Sequence, residues 1–568
     1  MHDKIAKEYM AKYEKAKTLR ENFVPLFEEC YEFSMPQRES FYTESIGQRR
    51  DEKIFDETAV VGVQEFASRL QAGLVPNFAR WADFIAGSEV AKEQRDSVNN
   101  DLDEVTEYVF EVLQNSNFGQ EVHESFMDLA VGTGILQISE GDAVQPIVFN
   151  AIPLPHVVLE TGPNNQIDHV YRERNVRYSH IPLLYADSDI SPQLADKIQK
   201  TPDAKTKILE VVCRDYTKIN EDAFLDYVID CETSTLIRSQ RYKGIGSNPF
   251  VCFRWATCAG EVYGRGPLMN ALSAIKTTNL TVQLVLENAQ MAISGIYQLD
   301  DDGIVNPDTI NLVPGTVIPK APNSAGLQPI RAAGSFDVSQ FILNDMRMNI
   351  KRALYNEMLG DPNKTPATAT EIAERMADLS RQIGSAFGRL QSELVQPVLQ
   401  RVVHILKKQG RIEIPTVNGR QVKVRSVSPL SQAQARQDIS ATSQWLQLVQ
   451  QGFGPDIMNL LVSGEEVAAY LAKKFGVPDS LIRDAGQRKQ IMEMMQQAQM
   501  QQQMMQQQGG EQVVHTPSGK ETLSYLRGLT LDSVSGPNIS DGELRHLEGQ
   551  RYIIALISRR MNHAMRVK

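Results

Sequence analysis

Residues 254–293 do most to limit what this chain can fold into. An aromatic, glycine-rich turn, Arg254-Trp255 and then Gly260-Glu261-Val262-Tyr263-Gly264-Arg265-Gly266-Pro267, runs directly into a long segment with a helical repeat. Pro267 suits a first helical turn, where its missing N–H costs nothing. Leu268, Leu272, Ile275, Val282, Leu286, Ala289 and Ile293 then recur at steps of three, four or seven, which predicts a helix with one narrow apolar stripe. Lys276, Thr277, Gln283, Glu287 and Gln290 fall on other faces. Such a rod packs sideways against neighbours while presenting a polar side to something else.

Upstream, residues 2–33 read as one helix that ends before Pro36, with Ile5, Tyr9, Tyr13, Phe23 and Phe27 toward one side. Further helices are expected at 57–74, closed by Val75-Pro76, at 98–114 and at 120–129. Between 145 and 177, and again from 207 to 258, β-branched and aromatic residues cluster in short runs. Gly162-Pro163-Asn164-Asn165 and Lys243-Gly244-Ile245-Gly246 punctuate them, the pattern of strands joined by turns. The first 266 residues therefore read as α+β, and the chain as a whole as α+β but mainly helical.

Downstream, 294–335 reads as a small loop-and-strand excursion, followed by a second helix at 336–358 with Val338, Ile342, Met346, Ile350, Leu354 and Met358 spaced by four. The two helices would form an antiparallel pair with a tip. Residues 359–367, rich in Gly, Pro and Asn, make a loop. Thr368 with Glu371 forms a capping box that opens a helix of about 40 residues, roughly 60 Å long, which Pro397 should bend. Asn418-Gly419 at the centre of 411–427 predicts a β-hairpin with a type I′ turn. Residues 432–508 return to helix and end in a Met/Gln-rich stretch that suits either a tail or a helix in a multi-chain bundle. Gly509-Gly510 and Ser518-Gly519 mark a linker. Ser540-Asp541-Gly542-Glu543 then opens a last helix whose end is basic.

Four sequence blocks stand in order across about 56–410. They are Phe55-Asp56-Glu57-Thr58 with Phe66-Ala67-Ser68-Arg69-Leu70-Gln71-Ala72-Gly73-Leu74-Val75-Pro76 and Trp81; Asp128-Leu129-Ala130-Val131-Gly132-Thr133-Gly134-Ile135-Leu136; the turn before Pro267; and Thr368-Ala369-Thr370-Glu371-Ile372-Ala373-Glu374-Arg375. Together they resemble the head-to-tail connector, or portal, proteins of short-tailed bacteriophages. The resemblance implies a portal fold of wing, stem, clip and crown or barrel, assembled as a cyclic ring. The wing part would be 1–266, the first stem helix 267–293, the clip 294–335, the second stem helix 336–358 and the tunnel loop 359–367. A long kinked wing helix with the hairpin would span 368–430, crown or barrel helices 431–510, and a linker with a helical appendage 511–568. Asn363, Lys364 and Thr365 of the tunnel loop would then face DNA, with Lys276, Arg347 and Lys351 as stem cations along the channel. Asp300, Asp301, Asp302 and Asn306 would meet partners at the clip.

The same resemblance implies a homo-dodecamer at one capsid vertex that passes double-stranded DNA during packaging and ejection. Its partners would be the terminase large subunit, then tail adaptor or nozzle proteins, with the major capsid and scaffolding proteins around it. The chain would act in the virion after assembly in the host cytoplasm, with no membrane, cofactor, metal or catalysis of its own. A net charge of −11 agrees with a surface over which a polyanion slides without gripping. The five cysteines form no CxxC, the nine histidines no HExxH, and the start no apolar signal core, so a reducing compartment and no export are expected. No apolar run approaches the roughly 18 residues of a membrane span. Neither Gly132-Thr133-Gly134 nor Gly264-Arg265-Gly266 continues into a phosphate-binding loop. The alternatives left by the residues are an internal or ejection protein of a phage, also helical and Gln-rich, and a metal-dependent nuclease, whose carboxylates leave little linear trace.

Overall fold

The computed structural model describes residues 2–44, 47–91, 94–185, 188, 190–217, 222–294, 297–298, 322, 328–329, 336–356, 383–415, 417–475, 477, 490–491, 493–495, 497–498, 500, 516–533 and 540–566. These divide into two compact units, 1–480 and 481–568.

In the first unit the order is α1 (His2–Arg20), α2 (Val24–Ser34), α3 (Thr58–Leu74), β1 (Ala82–Ala86), α4 (Arg95–Gln114), α5 (Phe118–Val131), β2 (Thr133–Glu140) and β3 (Ile147–Ala151). The expected single helix over 2–33 is two helices, because Pro25 sits in the first turn of α2 and can accept no helix running through it. β4 (Val157–Thr161), β5 (Ile167–Arg177), the short α6 (Ile181–Leu184), α7 (Pro192–Lys200), β6 (Lys205–Arg214), β7 (Ala223–Asp230), β8 (Thr235–Lys243) and β9 (Phe250–Arg254) follow. Strands β4 to β8 form an antiparallel meander in chain order, while β3, β2 and β9 form a second antiparallel sheet with β2 at its centre. The side-chain period of two divides the meander's faces. Tyr171, Leu209, Val211 and Ile229 pack with Ala6, Tyr13 and Ala16 of α1, and Ile208, Val228 and Ile237 pack with Tyr178, Ile181 and Leu194.

The expected rod is α8 (Pro267–Ser294). It leads to β10 (Tyr297–Gln298), paired antiparallel with β11 (Gln328–Pro329), and α9 (Phe336–Ala353) returns. Asn279 and Arg347 both bind Asp56 or its backbone, and eighteen residues farther along each path Tyr297 faces Pro329. Equal steps on both sides are what two antiparallel rods require. Helix α9 stops at Ala353, short of the expected 358, because Tyr355 takes a left-handed backbone (φ 57°) that ends the helix. Its neighbours Leu354 and Asn356 are buried under α3.

Of the long helix expected from 368, the described part begins at 383. It contains a helix at Gly384–Leu390, a π-helical turn at Gln391–Val395 and a helix at Gln396–Lys408. The widened turn precedes Pro397, whose ring leaves no room for regular hydrogen bonding behind it. The hairpin expected at 411–427 does not form. β12 (Val422–Ser426) instead pairs antiparallel with β1, Ala82 facing Ser426, while Ile412, Ile414 and Val417 bury their side chains in the main core. Asn418 still makes a turn, its Oδ1 accepting from the N–H groups of Arg420 and Gln421. Helices Pro429–Leu461 and Gly464–Phe475 close the first unit.

In the second unit, the described residues between 490 and 500 are helical, with Met494, Met495 and Met500 exposed. The stretch expected to be linker contains a helix, Pro517–Thr530, capped by Thr516 Oγ1, which accepts from Gly519 N. The last helix, Asp541–Arg566, opens on the expected capping box: Ser540 Oγ donates to Glu543 Oε2 at 2.8 Å, and Glu543 N donates back to Ser540 Oγ at 3.4 Å. All five cysteines are free thiols, and no described helix is long and apolar enough to cross a membrane.

Candidate functional site

Parts of the blocks around 56, 130 and 260 meet at the root of α8, where Thr133 bonds Gly264 and Phe66 packs on Trp255. Helix α5 ends at Gly132 (φ 153°) and the turn before α8 passes over it so closely that neither side tolerates a side chain. A Cβ on Gly264 would stand 2.1 Å from Gly132 O, one on Gly132 2.1 Å from Gly264 O, and one on Gly266 2.1 Å from Ala130 O. The approach is held by four bonds. Gly264 N donates to Thr133 Oγ1 (2.9 Å), Gly266 N to Val131 O (2.8 Å), Trp255 N to Gly132 O (2.9 Å) and Arg265 N to Ala256 O (2.8 Å). The glycines thus serve backbone-on-backbone packing and not the cradling of a phosphate.

Around this lock lie buried charges. Arg254, 3% exposed, donates from Nη2 to Glu393 Oε1 (2.7 Å) and from Nε to Oε2 (3.3 Å), and its own backbone N–H donates to Oε2 (2.9 Å). The remaining donors reach Val262 O and Asn165 O. Glu393 belongs to the π-helical turn, so the widened helix is what lets a carboxylate reach strand β9. Beside the pair opens a cleft of about 410 Å3 lined by Asp168, Arg214, Asp222, Gln396 and Gln400. Its charges are spent internally, with Arg214 on Asp222 at 2.8 Å and Tyr216 donating to Asp168. On the other side of the root, Asp128 accepts from Tyr31 Oη (2.8 Å) and stands 3.3 Å from Arg38 Nε. Burial pushes its carboxyl above the usual range against the pull of Arg38 and Tyr31. Trp255 packs edge-on to Phe66 and beside Tyr355, joining the turn to α3 and to the end of α9.

The two rods are clamped at mid-length by one carboxylate and one amide. Asp56, 7% exposed, receives Arg347 Nε at 2.7 Å and caps Thr58 N at 3.0 Å. Asn279 Oδ1 accepts from the N–H groups of Phe55 (2.7 Å) and Asp56 (3.1 Å), and its Nδ2 donates to Lys53 O (2.8 Å). Before the clamp, Leu268, Leu272 and Ile275 are buried, each burial contributing about 1.5–3 kcal/mol. Beyond it the chain provides little cover. Leu280, Leu284 and Leu286 are 54%, 55% and 53% exposed, and on α9 Ile342 and Met348 are 42% and 59% exposed.

Among the expected stem cations, Lys276 pairs with Glu29 of α2 at 2.9 Å, both groups nearly half exposed, and Arg347 is engaged by Asp56. Lys351 is exposed near the end of α9. The three stand on the same pair of rods, and among the described residues only Lys351 has no carboxylate paired with it. The tunnel-loop residues Asn363, Lys364 and Thr365, the clip residues Asp300, Asp301, Asp302 and Asn306, and the capping box at Thr368 lie outside the described residues. Sequence reasoning missed Asn279 and Glu393. The signal for each was a single polar residue inside an apolar helical repeat, which needs a buried partner. Among the described residues no group of His, Cys, Asp or Glu is placed to hold a metal ion.

The chain is 22% identical over 457 residues to a probable portal protein of Bordetella phage BPP-1, covering 75% of this chain and 79% of that one. It is 21% identical over 507 residues to a portal protein of Salmonella phage epsilon15, covering 84% and 88%. Chains in the virion of a native gene transfer agent particle and in the neck of that particle, computed with C12 symmetry, align at TM-scores of 0.33 and 0.31 with 13% identity. Each alignment covers 74% of this chain, and 92% and 91% of the other. A family model described as bacteriophage head to tail connecting protein matches residues 6–482. That span holds the glycine lock, the Arg254–Glu393 pair and both rods, and the chain belongs to the bacteriophage head-to-tail connecting protein family.

Proposed function

We propose that copies of this chain form a closed ring of twelve at one capsid vertex, through which double-stranded DNA enters during packaging and leaves during ejection. The observation that carries the reading is the contrast along α8. The helix is locked at its root by backbone contacts and clamped at Asn279, yet past the clamp Leu286 of the apolar stripe, and Leu280 and Leu284 on another face, are each about half exposed. Leaving three leucines uncovered forgoes several kcal/mol per chain, which the flanks of neighbouring rods recover when subunits close in a circle. In this reading α8 and α9 are the stem, and Lys276, Arg347 and Lys351 stand along it, Lys351 with the most freedom to meet phosphate. The excursion at 294–335, with Asp300, Asp301, Asp302 and Asn306, docks the terminase large subunit and later tail adaptor or nozzle proteins. The loop at 359–367 presents Asn363, Lys364 and Thr365 to the DNA. The motor is the terminase, and this subunit supplies the conduit and the platform.

The family match over 6–482 favours this reading over an ejection protein or a nuclease. Electron microscopy of the purified protein, viewed along its symmetry axis, tests it. A closed ring with a central opening wide enough for duplex DNA is expected, whereas a monomer or a closed globule without an aperture overturns the reading.

A further inference from the structure

The helices Pro517–Thr530 and Asp541–Arg566 lie beyond the span shared with the connector family. They form a hairpin fastened from within: Arg551 Nε donates to Thr530 O at 2.7 Å and Nη2 to Ser533 O at 2.6 Å. Those bonds set 551 level with 530–533, and the short connection makes the helices antiparallel. The covered apolar side chains are Leu523 on the first helix and Leu547, Ile554 and Ile557 on the second, and of these only Ile554 is buried. A unit this small is completed as a rule by a disulfide, a metal or another subunit. All five cysteines lie at or before 258, and no described group can hold a metal, which leaves another subunit.

A second, uncovered set of side chains shows which one. Glu521, Tyr525 and Leu529 recur at steps of four on the first helix, turned away from Leu523. Tyr552, Leu556 and Arg559 recur at steps of four and three on the second, turned away from Ile554. Tyr525, Leu529, Tyr552 and Leu556 are 68%, 53%, 69% and 41% exposed. Glu521 and Arg559 are exposed, and neither is paired with a charged group among the described residues. Given the level of 551, Leu529 stands at the height of Tyr552, Tyr525 at that of Leu556 and Glu521 at that of Arg559, each to within about a turn.

We propose that the outer side of the second helix docks the first helix of an adjacent copy of this chain. Copies related by rotation about an axis along the hairpin keep their heights. Tyr552 then meets Leu529 of the next copy, Leu556 meets Tyr525 and Arg559 meets Glu521, so that apolar groups cover apolar groups and the cation finds the anion. Two tyrosines and two leucines buried at each contact supply the core that the hairpin lacks. The contact is head-to-tail: each hairpin turns one side to one neighbour and a different side to the other, so it repeats around a ring. The inference deepens the ring reading with a second set of subunit contacts outside the connector span, and rests on it only in that copies stand side by side.

The test uses the full-length assembled protein with Cys258→Ser, which removes the exposed native thiol. Tyr525→Cys and Leu556→Cys are introduced singly and together, treated with a short bismaleimide and separated under denaturing conditions, with circular dichroism to check helix content. The double variant should give a ladder of linked copies, because each copy offers one thiol to each neighbour, and either single variant should stay unlinked. Adding Glu521→Arg to the double variant should lower the linked fraction about threefold, and adding Arg559→Glu as well should restore it, since the exchanged charges attract again. Linking in a single variant means a two-fold contact, and a double variant without a ladder means that the hairpin is covered by its own chain or by a different protein; either overturns the proposal. The mass of the untreated assembly separates the two readings. A ring of twelve without a ladder overturns this proposal alone, and a ladder without a closed ring overturns the conduit reading alone.

Discussion

Replacing Arg254 by Met keeps the length of the side chain and removes its guanidinium, which tests whether the buried pair with Glu393 sets the root of the rod. The substitution strips Glu393 of two side-chain donors at 2.7 and 3.3 Å and leaves Val262 O and Asn165 O without theirs. Only the backbone N–H of residue 254 still serves the carboxylate. Removing one partner of a buried pair costs about 3–5 kcal/mol. Glu393→Gln, which keeps one acceptor oxygen for the same N–H groups, should cost less, about 1–2 kcal/mol. In the double variant neither charge is stranded, so the two costs should fall short of additive by about 2 kcal/mol. Urea unfolding followed by tryptophan fluorescence is a suitable assay, because Trp255 is the next residue and is 6% exposed. A cost below about 1 kcal/mol for Arg254→Met, or costs that simply add, would mean that the pair is incidental and the backbone lock alone fixes the helix.

Gly264→Ala should abolish folded, soluble protein, because its Cβ meets a carbonyl oxygen at 2.1 Å. Gly388→Ala, in a helix with nothing within 4 Å, should stabilise by about 1 kcal/mol, and thermal melts of the two variants check both signs. Burial, with Arg401 and Lys408 close by, holds the His404 imidazole below its usual pKa. The unfolded state therefore takes up a proton first: stability is complete above about pH 6.5 and declines as pH falls through the lower folded value. His404→Gln should flatten the stability profile over that interval, and identical profiles would count against the assignment. Of the five thiols only Cys258 is exposed, and burial pushes Cys30 and Cys252 up to about 12 and Cys231 up to about 11. A maleimide should accordingly modify one thiol per native chain and five after denaturation, as read by intact mass, and fast labelling of a second thiol in the native state would contradict the packing.

Much of the architecture was legible because it is local. Pro267 and the seven-membered apolar repeat located α8 to within a residue at each end, and runs of β-branched and aromatic residues between turn glycines located strands, though not their order in the sheet. Pairings across long stretches of chain were not legible. Val422–Ser426 looked like half of a hairpin because Asn418-Gly419 is a strong local turn signal. Its partner lies some 340 residues earlier in sequence, and a five-residue strand carries no mark of where that partner is. Arg254 and Glu393 were likewise both readable as charged residues near apolar runs, but only the folded chain brings them together. At the candidate site, sequence pointed to cations on the rods. In the fold, two of the three are paired with Glu29 and Asp56, acids that neighbouring elements of the same chain bring beside the rods.

The contact between Gly132, Gly264 and Gly266 has a mechanical consequence. The tilt of the rod is set by peptide groups seated on one another, with no rotamer able to yield between them. A load drawn along the rod passes into the sheet of β3, β2 and β9 as through a welded joint. Beyond Asn279 the same rod can lengthen, shorten or change its surface without altering the angle at which it leaves the body, so what the far end carries and how it is aimed are free to diverge independently.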